Sequence, residues 1–429
     1  MRACDAAGPV PLRLLPDSAG VGDRGQLIVA GCDTLELAAE FGTPVFAYDE
    51  QHLRKRCREA VTAFGRHATY ASKAFLCRAM ARLAHEEGMS MDVATGGELA
   101  VSLAAGVPPD RIHLHGNNKS TAELRTAMDA GVGRIIVDSA EELDRIEALV
   151  AGGALPPQVL LRVTPGVKAE THEFIATGHD DSKFGFTVST GLALAAVERA
   201  RASDAVDLLG IHAHIGSQVF EAESFAKALA VLAEFTAPLG LPELVVGGGL
   251  GVAYVVGEEA PTITQWATEL QRAAADLGIT ATLGIEPGRA ITAAAAVTLY
   301  TVGTIKPLEG IRTYVAVDGG MSDNPRPVLY GSGYEAFLAR SVEAPRPLTA
   351  RVVGKHCESG DILVREAQLP ADLAVGDVLA MPVTGAYGHS MGSNYNKVLR
   401  PPVVFCADGD ARLVVRRETP ADLLATDVG

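Results

Sequence analysis

Between residues 67 and 286, short apolar runs alternate eight times with amphipathic helical patterns, and this rhythm constrains the fold more than any other feature. Strands are expected at His67–Ser72, Met89–Thr95, Ile112–Gly116, Arg134–Ser139, Val159–Thr164, Leu208–Ile215, Glu243–Gly248 and Thr282–Glu286. Helical patterns fill the gaps, at Leu76–Gly88, Gly96–Gly106, Thr121–Gly131, Ala140–Ala151, Val188–Ala202, Ala222–Leu239 and Thr264–Leu277. Thr121 and Ser139 each open a helix as a cap residue with acids in the first turn. Apolar strands separated by helices form parallel sheets. A count of eight favours closure into a (β/α)8 TIM-type barrel, in which the chemistry sits at the C-terminal ends of the strands. The polar and glycine residues that interrupt the apolar pattern fall at those ends: Lys73, Asp92, His115-Gly116, His214, Gly247–Gly249 and Glu286.

After residue 300 the rhythm changes. Strand-like pieces at Val297–Thr304, Thr313–Val317, Thr349–Val353, Asp377–Met381 and Arg412–Arg416 alternate with Gly- and Pro-containing turns. The fold class is therefore α/β, with a barrel over 46–300 and an all-β second domain built from 301–429 together with the N-terminal segment 1–45. With 429 residues the chain is long enough for both. It carries 37 basic against 52 acidic residues, a net charge of −15, which argues against nucleic acid or an anionic membrane as partner. No apolar run approaches the ~20 residues that span a bilayer, and the N-terminus lacks a signal peptide's apolar stretch, so the cytoplasm is the expected compartment. The six cysteines are scattered without a CxxC pair, which suits neither a zinc site nor a disulfide framework. Five of them are assigned to packing or surface, and Cys357 is set apart by its neighbours.

Lys73, in Tyr70-Ala-Ser-Lys73-Ala, stands where the first strand ends. A lysine there can do imine chemistry once desolvation or a nearby cation frees its lone pair, although most such lysines simply point into solvent. Gly247-Gly-Gly-Leu-Gly251 follows a strand directly, and four glycines in five residues favour an anion cradle of backbone N–H groups over a plain turn. Neither a P-loop nor a dinucleotide fingerprint is met. His212 and His214 alternate onto one face of the sixth strand, open to a metal pair, to stacking on a flat ring, or to core packing. No third ligand at suitable spacing accompanies them, and no metal is expected. Glu286-Pro-Gly288-Arg289 closes the eighth strand with a carboxylate suited to a protonated pyridine nitrogen and an arginine fork suited to phosphate or carboxylate. In the β region, Cys357-Glu358-Ser-Gly-Asp361 offers a thiol, mostly protonated at neutral pH and able to donate a proton, or else a packed side chain. Arg326 and Tyr330 form a candidate pair for a carboxylate. The polar stretch Thr177–Phe184 is a candidate lid.

Taken together, these segments resemble the alanine-racemase-fold group of pyridoxal-phosphate-dependent decarboxylases, and within it the meso-diaminopimelate decarboxylases. The resemblance rests on Tyr70–Ala74, His115–Lys119, His214–Gln218, Gly247–Gly251, Glu286–Arg289, Val317–Asp323, Cys357–Asp361, Gly385–Tyr387 and Ser393–Asn396, in the family's order over nearly the whole chain. It implies decarboxylation of meso-2,6-diaminopimelate to L-lysine and CO2 with pyridoxal 5'-phosphate as cofactor. Lys73 would carry the cofactor as an imine and His214 would stack on its ring. Ser217, Gly249, Gly288, Arg289 and Tyr387 would help to hold it, with Glu286 on the ring nitrogen. Arg289, Arg326 and Tyr330 would bind the far carboxylate, Glu358 the far ammonium, and Tyr387 would touch the substrate as well. Cys357 would supply the proton, lent with its neighbours by the partner chain of a homodimer. Two stretches depart from the family pattern, Ala74-Phe75-Leu76 and Gly388-His389-Ser390-Met391-Gly392. The second keeps open a sister decarboxylase acting on D-lysine, D-ornithine or a carrier-bound glutamyl group. An amino-acid racemase shares the fold, and a catalytically dead binding relative would lack the intact Lys73, Glu286 and Cys357.

Overall fold

The computed structural model describes residues 2–3, 14–166, 181–214, 216–220 and 222–429. The chain forms two compact units, one of Met1–Lys55, Val252–Glu259 and Ile291–Gly429 and one of Arg56–Gly251 and Ala260–Ala290.

The second of these is the barrel. Its strands are β1 (Thr69–Ala71), β2 (Ser90–Val93), β3 (Ile112–Leu114), β4 (Arg134–Val137), β5 (Gln158–Thr164), β6 (Asp207–Ala213), β7 (Glu243–Val245) and β8 (Thr282–Gly284). They lie side by side in sequence order, every pairing parallel. Closure comes from the first and last strands: Thr69 N donates to Ile285 O at 2.8 Å and Ile285 N to His67 O at 3.0 Å. Helices cross between successive strands: α1 (Arg78–Glu86), α2 (Gly96–Ala104), α3 (Thr121–Ala130), α4 (Ala140–Ala151), α5 (Leu192–Ala202), α6 (Ala222–Thr236) and α7 (Ile263–Asp276). The cap of α3 is Ser120, one residue ahead of the expected Thr121, and it forms a reciprocal capping box with Glu123. Ser139 caps α4 as the sequence implies. Crowding between strands explains some of the glycines. A Cβ on Gly210 of β6 would sit 2.1 Å from Glu243 O of β7, so a side chain there would push the two strands apart.

The other unit is built mostly of sheet. Arg2–Ala3, Gly20–Val21, Leu27–Val29 and Cys32–Asp33 form an antiparallel sheet of four short strands. A larger sheet runs in the order Ile362–Leu369, Leu348–Val353, Arg312–Val317, Ala296–Leu308, Val45–Asp49, Val403–Ala407, Asp410–Val415, with Val378–Pro382 also on the long Ala296–Leu308 strand. Val45–Asp49 thus belongs to this sheet, although the sequence rhythm sets the barrel's start near residue 46. Its core gathers Leu27, Val29, Val45, Val297, Leu299, Phe337 and Val404. Cys32 and Cys406 are packed in that core, Cys57 and Cys77 are also buried, and Cys357 is exposed. No helix among the described residues is long and apolar enough to cross a membrane.

A buried carboxyl organises the loop after Arg312–Val317. Asp323 accepts from Tyr300 Oη at 3.0 Å and from Gly320 N at 3.1 Å. Burial pushes its pKa up to about 7 against the pull of those donors. A carboxyl whose folded pKa lies above its unfolded value contributes stability in the protonated form, fully present below about pH 4 and lost as pH rises through about 7. The melting temperature is therefore expected to fall between pH 6 and 8 by more than in Asp323→Asn. The difference corresponds to on the order of 1 kcal/mol. Parallel slopes in a thermal-denaturation series would show that the carboxyl is already ionised.

Candidate active site

Lys73 lies in the single 3-10 turn Ser72–Ala74 that ends β1, and its side chain is exposed. Two contacts fix the turn. Tyr70 Oη donates to Phe75 O at 2.6 Å, and Ala71 N donates to Pro287 O at 3.2 Å, which sets the Lys73 turn against Glu286–Arg289. That approach needs Gly288, since a Cβ there would lie 2.8 Å from Ala71 O.

Glu286 is buried between two histidines. Its Oε2 is 2.9 Å from His212 Nε2, and its Oε1 is 3.2 Å from His115 Nε2, which also lies 3.7 Å from Asp92 Oδ1. Burial works against the charge on Glu286, but His212 and His115 outweigh it and hold the carboxyl well below its ordinary range. For His115 burial likewise opposes protonation, and Asp92 with Glu286 overcomes it, so the imidazole is held above its usual value. Burial brings His212 down to about 4 and leaves it neutral, donating to Glu286. Asp92 rises to about 6 by burial, against the pull of His115. The result is an anionic Glu286 in a dry pocket, supported by a donor on each side.

The expected histidine pair separates. His212 turns to Glu286, whereas His214 accepts from Gly248 N at 3.3 Å through Nδ1, which leaves its proton on Nε2. Burial, with Lys73 and Arg162 adding to it, keeps His214 well below its ordinary value and hence neutral. The trio whose donor atoms do converge is His115, His212 and Glu286, and they are engaged with one another.

The glycine run is shaped as a cradle. Gly247 and Gly249 have φ of 73° and 103°, and a Cβ on Gly249 would sit 2.2 Å from Gly216 O. Beside it Arg289 donates to Ser217 Oγ at 2.9 Å, so a guanidinium, a hydroxyl and the backbone of two glycine turns meet at the ends of β6, β7 and β8. This is a donor set for a phosphate.

Sequence reasoning gave no part to Arg162, Asp138, Glu142 or Tyr254, and quoted Lys119 without a role. Arg162 lies on β5, with its guanidinium 4.2 Å over the Phe184 ring and 3.8 Å from Asp138. Lys119 is buried, donates to Gly116 O at 2.5 Å and Ile136 O at 2.8 Å, and pairs with Glu142 Oε1 at 2.9 Å. A charged residue inside an apolar barrel strand was the available signal for Arg162. Of the candidate lid, residues 177–180 lie outside the described residues.

In the β unit Arg326 begins the short helix Arg326–Tyr330 and is buried, while Tyr330, half-buried, ends it. Its guanidinium stands 4.1 Å over the Tyr254 ring and donates to Tyr334 Oη at 3.0 Å. Among the described residues no carboxylate pairs with it, and its buried Nε has no hydrogen-bond partner. Tyr387 is half-buried with a left-handed φ of 59°, in a segment pinned by Tyr48 Oη on Gly385 O at 2.8 Å. Cys357 and Glu358 are exposed. The divergent Gly388–Gly392 stretch is engaged in packing: His389 sets its ring edge-on to Phe46 at 5.9 Å, and its carbonyl accepts from Arg400 at 2.9 Å.

Residues 50–293 match the family described as pyridoxal-dependent decarboxylase, pyridoxal binding domain. The chain is 48% identical over 427 residues to the diaminopimelate decarboxylase of Mycobacterium tuberculosis, spanning 94% of this chain and 95% of that one. Among solved structures it resembles a diaminopimelate decarboxylase from M. jannaschi, with a TM-score of 0.90 at 31% identity over 96% of this chain and 98% of the other. The Helicobacter pylori diaminopimelate decarboxylase complexed with L-lysine superposes with a TM-score of 0.84 at 31% identity over 92% and 98%. A barrel with a lysine, a phosphate cradle and an anionic glutamate at its mouth, matched end to end by such relatives, belongs to the diaminopimelate decarboxylase family of pyridoxal-dependent decarboxylases.

Proposed function

We propose that the protein decarboxylates meso-2,6-diaminopimelate to L-lysine and CO2, with pyridoxal 5'-phosphate held in the barrel. L-lysine keeps the substrate's L centre, so the carboxylate lost is the one on the D centre, and the other carboxylate must be bound intact. Arg326 carries the reading: a buried guanidinium with no carboxylate partner among the described residues and an orphaned Nε is a site awaiting an anion. Its two tyrosine neighbours leave it fully charged, and burial makes an incoming carboxylate a strong partner.

The barrel residues fit the cofactor on their own evidence. Lys73 would hold it by an imine link, the Gly247–Gly249 turn with Ser217 and Arg289 would take the phosphate, and neutral His214 would lie against the ring. Glu286, kept anionic by His115 and His212, would hold a proton on the ring nitrogen. When bound, the cofactor supplies the electron sink for the pair left by CO2. The chain's own residues do the rest. Arg326 and Tyr330 orient the far end, Glu358 takes the far ammonium, and Tyr387 lies against both cofactor and substrate. Cys357 returns a proton to the carbon that has lost CO2. The exposure of Cys357 and Glu358 supports a homodimer in which each chain lends this segment to its partner.

D-lysine is the same substrate without the far carboxylate, which isolates the role of Arg326. Arg326→Ala is expected to lower kcat/KM for meso-diaminopimelate by about 10²-fold, mostly through KM, and to erase the preference over D-lysine. CO2 release from both compounds measures this, with Lys73→Ala as the inactive control. A preference that survives the substitution would move the carboxylate site elsewhere.

Glu286→Gln removes the anion while keeping the hydrogen-bonding shape. It is expected to lower kcat by about 10²–10³, the usual scale for losing one preorganised electrostatic partner. Steady-state rates at saturating cofactor test this, and a change under threefold would place the ring nitrogen's partner elsewhere.

A further inference from the structure

Cys357–Gly360 are four exposed residues carried between two buried ones, His356 and Asp361. An exposed turn of this kind samples many conformations, since fixing each residue costs about 1–2 kcal/mol. Here the anchors are specific. The Asp361 carboxylate accepts from Met321 N at 2.7 Å, His356 N at 2.9 Å and His356 Nδ1 at 2.8 Å. One side chain thereby ties the residue before Cys357 to a separate loop. The fit is close enough to demand Gly354, whose Cβ would lie 2.1 Å from Asp361 Oδ2.

A third segment fixes Cys357 itself. Its N–H donates to Asn396 Oδ1 at 3.0 Å, across 39 residues of sequence. The His356 ring stacks on Tyr395, with 5.7 Å between centroids and 6° between planes. Asn396 takes a left-handed φ of 51° to present its side chain, a conformation that asparagine tolerates better than most residues. A hairpin between Leu348–Val353 and Ile362–Leu369 requires none of residues 393–397 for its own closure. Within that segment Asn396 and Tyr395 reach Cys357 and its predecessor, while Ser393 N donates to Ser322 O and Asn394 to Glu418.

We propose that His356, Asp361, Tyr395 and Asn396 are positioning residues for Cys357, fixing the side from which its thiol delivers the proton. This rests on the reading that Cys357 protonates the carbon that has lost CO2. In that step the carbon's electron pair forms the new C–H bond with the Sγ proton, and the thiolate left behind takes a proton from water. In D2O the thiol exchanges beforehand, so the new bond is C–D at Cε of L-lysine, and its configuration records the side of delivery.

The test is turnover of meso-diaminopimelate by the holoenzyme in D2O. The configuration at Cε is read by NMR and the L-lysine formed is compared with the CO2 released. The native protein is expected to give one configuration and equal amounts of the two products. Asn396→Ala is expected to give a mixture at Cε and to lower kcat by roughly 10-fold, with KM within about twofold. Asn396→Asp, which keeps the acceptor oxygen, is expected to restore one configuration. Because configuration is a ratio, it does not depend on how much of a variant folds. A single configuration from both Asn396→Ala and His356→Ala, with Cys357→Ala giving a mixture, would overturn the positioning role and leave Cys357 as donor. A single configuration from Cys357→Ala would overturn the donor reading and the inference with it.

Discussion

Everything at the barrel mouth depends on the seam between its first and last strands. The hydrogen bonds from Thr69 to Ile285 and from Ala71 to Pro287 close the sheet, and they also bring a lysine and a glutamate 213 residues apart in sequence to neighbouring turns. A parallel barrel can make that pairing only if all its intervening βα units are in register, because each strand pairs with its sequence neighbours. The site is thus the last thing the barrel's topology completes. The small residues at the seam follow from it: Gly288 is there because Ala71 O occupies the space a side chain would need.

Closure also creates an electrostatic problem, since it buries charge. A lone buried carboxylate would take up a proton. Glu286 escapes this because β3 and β6 each aim an imidazole at it. The two histidines are not equivalent. His115 has Asp92 behind it and is held above its usual value, whereas His212, without a second acid, is brought down to about 4 by burial. The glutamate thus lies between two imidazoles, which hold its carboxyl well below the ordinary range. Arg162 and Lys119 continue this pattern along neighbouring strands, each buried cation set against its own acid, Asp138 and Glu142.

How much of this was legible in the sequence follows the range of each interaction. The eight barrel strands and the seven helices between them could be read, because apolar periodicity is local, whereas the helices Thr34–Phe41 and Glu50–Phe64 were missed. Lys73, Glu286 and the glycine turn could be read as strand-end residues. The partners of those residues could not. Alternation puts His212 and His214 on one face and leaves metal binding, ring stacking and core packing open, with no metal expected. Only the three-dimensional placement of Glu286 just beyond β8 and of Gly248 beyond β7 shows where each ring turns. Val45–Asp49 and Val403–Ala407 were missed as strands for the same reason, since each pairs with residues distant in sequence, while Ile362–Leu369 was missed although it pairs with the nearby Leu348–Val353. Tyr254 lies in an irregular stretch beyond the glycine run, and its role emerges only from the guanidinium above it.

The two units use charge in opposite ways, and the difference separates chemistry from recognition. In the barrel Glu286, Lys119 and Arg162 each face an opposite charge within the protein. In the β unit Arg326 is buried against Tyr254 and Tyr334, and among the described residues no carboxylate pairs with it. Tyrosines stabilise a cation without neutralising it, so the guanidinium keeps its full attraction for a carboxylate. A built-in acid would have made the fold easier to stabilise and would have closed the guanidinium to any incoming anion. A buried guanidinium left without an acid separates a ligand that carries an anionic group from one that lacks it, because the second leaves a buried charge unmet.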